Sequence, residues 1–313
     1  MLRYAIRSIL VTIPLLLILA TVVFFAMRAV PGGPAYAILG EQASAEAIAA
    51  LEQRLGLDRP LLEQYWKYIS GLLTGDLGTS LFNRLPVGRQ LLQSLPYTAE
   101  LAGASMAIAL LLGIPAGIWM ATRRNTVGDY VARVLSLVGL TIPEFYLGVL
   151  LIMVFSLQLD WFPMLGAGDL ASTASTLHHL FLPSLALGLT LTSFIARATR
   201  ANLLEVLSED YLNTARAKGL PERRVLLKHA LRNSLTATVT VVGMYTALLL
   251  GGAVMVETVF TRPGIGKLLV EAVYQRDYPM IQGGLLLFAA CVASANMLVD
   301  ISYGFLDPRI RYD

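Results

Sequence analysis

Apolar runs about twenty residues long alternate along this chain with short polar stretches, and that alternation predicts helices that cross a bilayer. A hydrocarbon core roughly 30 Å thick needs about 20 mostly apolar helical residues to span it. Six stretches qualify: Ile9 to Met27, Tyr97 to Ala121, Val134 to Leu157, Leu180 to Ala196, Ser234 to Val256 and Met280 to Tyr303. The expected fold is all-α, a polytopic membrane protein with six transmembrane helices. Residues 1–28 form the tail and first span, 29–96 a partly helical extracytoplasmic segment, and 97–313 a five-helix core with a cytoplasmic loop at 197–233. The first run follows Arg3 and Arg7 and precedes Ala35-Tyr36-Ala37, which resembles a signal cleavage site, but its length favours a retained span.

Charge sets the expected orientation. Arg123, Arg124 and Arg133 fall between spans two and three, and Arg197, Arg200, Arg216, Lys218, Arg223, Arg224, Lys228 and Arg232 between spans four and five. Basic short loops stay in the cytoplasm. The stretch from Gln158 to His179 has Asp160 and Asp169 and neither lysine nor arginine, so it faces outward, and both termini face the cytoplasm. The segment from Arg28 to Pro96 is long enough to escape the charge rule despite its basic residues.

Composition narrows the class further. Of 313 residues, 56% are hydrophobic and 14% charged, against about 25% charged in soluble domains. The single cysteine, Cys291, excludes an internal disulfide, and with three histidines it leaves no Cys/His set for a structural metal. A net charge of +3 is too small to imply nucleic acid. Nothing at suitable spacing supplies a nucleophile with its acid and base, and neither Asp300 nor Cys291 suits catalysis.

Two helices are expected in the outer segment. Ser44 can cap one that presents Ile48, Leu51 and Leu55 and stops at Gly56. Pro60 suits the first position of another, which presents Tyr65, Trp66, Ile69, Leu72 and Leu73. Together they make either a cap on the bundle or a docking surface for an extracytoplasmic partner.

The stretch from Ser208 to Pro221 predicts a short polar helix outside the membrane. Ser208 can cap it, Glu209 and Asp210 suit its positive end, Arg216 and Lys218 its negative end, and Gly219 and Pro221 stop it. Thr214, Ala215 and Ala217 give it a surface of little bulk that suits a groove on another protein. On these residues alone, an amphipathic helix lying on the membrane surface is a serious rival.

Asp210-Tyr211, then Thr214-Ala215-Arg216-Ala217-Lys218-Gly219-Leu220, then His229-Ala230-Leu231-Arg232-Asn233 resemble the cytoplasmic signature of binding-protein-dependent ABC importer permeases of the dipeptide, oligopeptide and nickel type. Further matches are Gly75-Asp76-Leu77-Gly78, Glu257 with Phe260, Pro263-Gly264 and Gly266, Arg276-Asp277-Tyr278-Pro279 with Gln282-Gly283, and Asp307-Pro308-Arg309-Ile310-Arg311. Asn213 stands where the broader signature has glutamate, and Pro31-Gly32-Gly33-Pro34 where relatives often have Pro-Gly-Asp-Pro. The resemblance implies that the helix is a coupling helix, with Asp210, Tyr211, Thr214, Ala215, Arg216, Ala217, Lys218 and Gly219 at or near a cleft of an ATP-hydrolysing subunit. It also implies a second homologous permease subunit, two ATP-binding subunits carrying ATP and Mg, and an extracytoplasmic solute-binding protein. The location implied is the cytoplasmic (inner) membrane. The solutes implied are peptides, with nickel, glutathione-like compounds or opines as alternatives.

Remaining candidates concern the solute path. Gly264-Ile265-Gly266-Lys267-Leu268 fails as a phosphate loop, because Thr261 stands where the first glycine is needed and Leu268 where Ser/Thr is, so no cofactor is expected on this chain. Glu144 is expected near the middle of span three, where a charge costs at least about 2.5 kcal/mol, so it either lines the path near a substrate amine or hydrogen-bonds within the bundle. Met244, Tyr245 and Met255 form either an adaptable wall or ordinary packing, and Glu257 either faces the cavity or anchors the next loop. His178 and His179 suit an interfacial position, and no metal is expected. A self-sufficient channel or ion-coupled transporter using Glu144 is the rival of another class.

Overall fold

A computed structural model describes residues 2–29, 32–40, 43–169 and 172–306. Pro31 and the Asp307–Arg311 motif lie outside the described residues. The helices run α1 (Leu2–Ala29), α2 (Pro34–Leu39), α3 (Ala45–Leu55), α4 (Leu61–Leu73), α5 (Val87–Thr122), α6 (Val127–Thr141), α7 (Glu144–Leu151), α8 (Thr173–Leu207), α9 (Asp210–Ala217), α10 (Glu222–Arg224), α11 (Leu231–Val259), α12 (Ile265–Tyr274) and α13 (Tyr278–Leu306). Wider π-type turns extend α7 through Ile152–Gln158 and lead into α11 over Val225–Ala230. Among the described residues there is no strand beyond one isolated bridge between Thr79 and Pro86.

Five helices are long and apolar enough to cross a membrane, within α1, α5, α8, α11 and α13, and α6 with α7 makes a sixth only as a pair bent by 101°. The expected continuous third span from Val134 to Leu157 is therefore broken. Proline at 143 lacks an N–H and crowds the residue before it out of the helical region, and Ile142 accordingly turns extended at φ −81°, ψ 120°. Glu144 consequently stands in the first turn of α7 and not in mid-span. Helix α8 also runs well past the expected Ala196, so Arg197 and Arg200 are helical, as is Arg133 in α6.

The chain divides into two compact units. One comprises residues 2–97 and 263–293. Here α1 and α4 pack through Ala20 and Ile69 beside Leu286, with Tyr65, Tyr68 and Leu72 around them. Phe24 meets Tyr65 edge-on at 5.3 Å and stacks on Tyr68 at 5.5 Å, and Arg28 donates to Gln64 at 2.9 Å. Burial pushes the Tyr68 hydroxyl up to about 12. The two helices expected within residues 29–96 form: Ser44 accepts from the Ala47 N–H at 3.2 Å and Gly56 ends α3 in the left-handed region, while Pro60 stands just before α4 and not at its first position. Trp66 and Leu73 remain 66% and 73% exposed, so that face of α4 is open.

Several residues with family-like spacing hold turns in this unit. Asp277 accepts from the Ser80 hydroxyl and from the Leu81 and Met280 N–H groups, which caps α13 and fastens the 75–86 loop to it. Within that loop the Gly78 N–H is taken by Asp76 at 2.8 Å.

The other unit comprises residues 98–262 together with the last part of α13. Helix α8 is its packed centre: 67% of its apolar window is buried, against 17 to 33% for the other candidate spans. Leu182, Leu187, Leu191 and Ile195 of α8 meet Leu101 and Ala109 of α5, Leu151 of α7, and Leu249, Ala253 and Val256 of α11. The α5–α8 contact depends on small residues, because a Cβ on Gly117 would stand 2.6 Å from the Ala196 carbonyl oxygen and one on Gly113 would stand 2.9 Å from Ile195.

Candidate functional site

Two places in the second unit gather the residues of interest: the helix α9 and a cavity among α6, α8 and α11. Ser208 does not cap α9 as expected. Its hydroxyl donates to the Glu205 carbonyl at 2.6 Å and closes α8, and α9 begins after Glu209, whose backbone is extended. Ser208 sits at the end of the longer helix, where an unpaired carbonyl is within its reach. Gly219 ends α9 at φ +77°, with its N–H on the Arg216 carbonyl and the Leu220 N–H on Ala215.

Helix α9 is braced from below. Leu212 is fully buried against Ala121, Leu203, Val225 and Ala230, and Ala215 is half-buried beside it. Tyr211 donates to the His229 carbonyl at 3.3 Å and accepts from the Asn233 amide at 3.1 Å. Arg216 pairs with Glu222 at 3.1 Å and reaches Asn213 at 3.2 Å. That hydrogen bond holds the Glu222 carboxyl below its ordinary range and the Arg216 guanidinium above its own. Asp210, Asn213, Thr214, Ala217, Lys218 and Gly219 face outward. Of the predicted coupling residues, then, Asp210, Thr214, Ala217, Lys218 and Gly219 share the open face, while Tyr211, Ala215 and Arg216 hold the helix in place.

The cavity, ≈ 590 Å³, is lined by Arg133, Arg197, Arg200, Phe194, Met244 and Tyr245 among others. Phe194 and Tyr245 stack with centroids 4.1 Å apart. Arg200 donates to both oxygens of Asp129 at 2.9 Å, and Asp129 is fully buried. Arg133 stands 3.5 Å from the same carboxylate and lies over the Tyr130 ring at 4.2 Å. Arg197 is exposed and forms no ion pair among the described residues. Charges counted as loop residues in the sequence thus stand on helices around one space.

Glu144 stands in a small recess with Leu187, Thr190 and Leu248, a recess that Phe194 and Tyr245 also line. It has no hydrogen bond or ion pair among the described residues. Met255, 55% exposed, and Glu257 do not join this group. Glu257 is fully buried, accepts from the Thr98 hydroxyl at 2.6 Å, and takes the Arg262 N–H on its carbonyl at 2.8 Å, so it anchors the turn after α11. His178 contacts the Trp161 carbonyl and His179 the Ser175 carbonyl, and no metal-holding cluster occurs among the described residues.

Sequence reasoning missed three polar pairs: Asp129 with Arg200, Glu100 with Arg262 at 2.5 Å, and Ser80 with Asp277. A local signal existed for one partner. Thr126 accepts from the Asp129 N–H as a helix N-cap does, and Asp129 accepts from the Asn125 N–H just before it.

Apolar helices packed around α8 in the second unit, with the polar helix α9 braced against them, define a helical membrane protein. A family model described as binding-protein-dependent transport system inner membrane component matches residues 113–312, and a model of the N-terminal part of such components matches residues 1–102. The chain belongs to this family and is the permease component of an ABC importer. It is 44% identical over 312 residues to the glutathione transport system permease protein GsiC of Salmonella typhi, covering 100% of both chains. It is 41% identical over 333 residues to the dipeptide transport system permease protein DppB of Alkalihalophilus pseudofirmus, again covering 100% of both. Among solved structures, the MetNI methionine ABC transporter in an inward-facing conformation matches with a TM-score of 0.58 at 17% identity, over 69% of this chain and 96% of that one. An amino acid ABC transporter matches with a TM-score of 0.53 at 14% identity, over 71% and 95%. These two show a shared fold.

Proposed function

We propose that this permease imports short peptides, glutathione-like tripeptides among them, and that α9 is the helix through which ATP hydrolysis on other subunits drives it. The observation that carries the reading is the division of α9 into a braced underside and an open face on which the small residues Thr214, Ala217 and Gly219 stand among polar ones. A lever needs both: Leu212 and the Tyr211–Asn233 and Arg216–Glu222 contacts transmit force into α8 and α11, while the open face leaves room for a groove. The 44% and 41% identical relatives support the solute class.

In this reading the chain pairs with a second homologous permease, two ATP-binding subunits carry ATP and Mg, and an extracytoplasmic binding protein delivers solute to the 29–96 segment. The open face of α4, with Trp66 and Leu73, suits that delivery. The basic end of the bundle around α9 and both termini face the cytoplasm. Glu144, Met244 and Tyr245 line the solute path, with Met255 further along α11.

The test replaces Thr214 with tryptophan in the assembled importer. Thr214 is exposed, so the variant inserts and folds, while the added ring blocks the groove. ATP-dependent peptide uptake and copurification of the ATP-binding subunits should both be lost. Unchanged uptake would remove α9 from the coupling role.

A further inference from the structure

We infer that the arginine-lined cavity among α6, α8 and α11 is a binding station for a carboxylate, which on this path is the C-terminal carboxylate of the solute. The inference rests on the import reading above and adds the chemistry by which this subunit holds its cargo. Three guanidiniums, on Arg133, Arg197 and Arg200, border the cavity, and the one acid at their side, Asp129, is already engaged by two of them. Positive charge is left in excess. Arg197 has no ion-pair partner among the described residues, and the Nη2 of Arg133 is buried with no hydrogen-bond partner. Arg197, which is exposed, therefore has donors to offer a ligand, while the buried Arg133 Nη2 adds an unsatisfied positive group behind the wall.

Ionisable groups on an apolar helix are costly, and Asp129 offsets only part of the charge of these three arginines, with Arg197 left outside its reach. A planar fork of N–H donors matches a carboxylate, and charge-assisted hydrogen bonds of this kind are among the strong ones. The volume, ≈ 590 Å³, suits a short peptide, and the stacked Phe194 and Tyr245 with Met244 supply an apolar wall for varied side chains. The same aromatic pair borders the recess of Glu144. Between Thr190, beside Glu144, and Arg197 the α8 backbone rises by roughly 10 Å at about 1.5 Å per residue. A tripeptide extended at about 3.3–3.6 Å per residue has that length. Its ammonium would meet Glu144 and its carboxylate the arginines.

The test uses the complete importer in phosphatidylcholine nanodiscs without the binding protein, so that delivery does not select the ligand. Binding of labelled trialanine is compared with binding of its C-terminal amide. The expected result is a preference of about tenfold or more for the free acid. Arg197→Gln should bring the ratio close to one, and Arg197→Lys should keep part of it, which separates lost charge from lost folding. Absence of a preference in the parent, or a preference unaltered in Arg197→Gln, would overturn the inference. Adding phosphatidylglycerol distinguishes the other source of anionic oxygens: Arg197-dependent enrichment of that lipid, with no preference for the free acid, would assign the cavity to a headgroup phosphate and overturn the peptide reading. Loss of coupling through α9 is measured separately by ATP-dependent uptake, so failure of one reading leaves the other open to its own result.

Discussion

Arg200 grips Asp129 through two hydrogen bonds of 2.9 Å, from Nε to one carboxylate oxygen and from Nη2 to the other. The pair fastens the first turn of α6 to α8, the most buried helix of its unit. Asp129 also accepts from the Asn125 N–H at 3.0 Å, so the same carboxylate holds the turn between α5 and α6.

Removing one partner should therefore cost more than removing both. Asp129→Ala leaves the arginines facing an uncompensated site and should destabilise the protein by about 3 kcal/mol. Asp129→Ala with Arg200→Met should recover much of that loss. Thermal unfolding of the purified complex in detergent checks this, and a double variant no better than the single one would contradict it.

Gly219 tests the end of α9 by backbone conformation. A Cβ there meets nothing within 4 Å, yet its φ of +77° disfavours any L side chain by roughly 1–2 kcal/mol. Gly219→Val should leave insertion intact and fray the end of α9, lowering ATP-coupled uptake, whereas Gly219→Asn, which tolerates this region, should retain most of it. Equal uptake by both variants would mean that this turn is not needed for coupling.

Gly117 tests the α5–α8 contact. Gly117→Leu would drive a side chain into the Ala196 carbonyl and Thr199, neither of which can move without shifting α8. Yield of folded protein should fall sharply, by size-exclusion profile. Gly103→Leu, on the same helix with nothing within 4 Å of an added Cβ, should be tolerated.

Glu144 has no partner that its removal would orphan, so Glu144→Gln should fold normally. If it meets a peptide ammonium, uptake of trialanine should fall several-fold while that of N-acetyl-trialanine is little changed. An equal fall for both peptides would remove Glu144 from recognition of the ammonium.

Much of this protein is legible in its sequence because the signals are local. Apolar runs locate the spans, and Ser44 with Gly56 bounds α3 as expected. Gly219 ends α9 where its left-handed backbone requires. Two further local signals stand in the sequence: Pro143, which breaks the expected third span, and Gly113 with Gly117, which allow a close helix contact. Ser208 shows the limit of such rules. A serine before a helix can serve either neighbour, and here it closes α8.

By itself, then, the sequence determined where the apolar helices lie, that five or six of them are long and apolar enough to cross a bilayer, and which short polar helix carries the family-like pattern, since hydropathy and capping act within a few residues. Tertiary structure alone decided that Arg200 reaches Asp129 across 71 residues, that Arg133 and Arg197 border one cavity with the Phe194–Tyr245 stack, and that Glu257 is an anchor. Those outcomes depend on the rotation of each helix about its axis and on which faces meet, and such angles are settled by packing among distant segments.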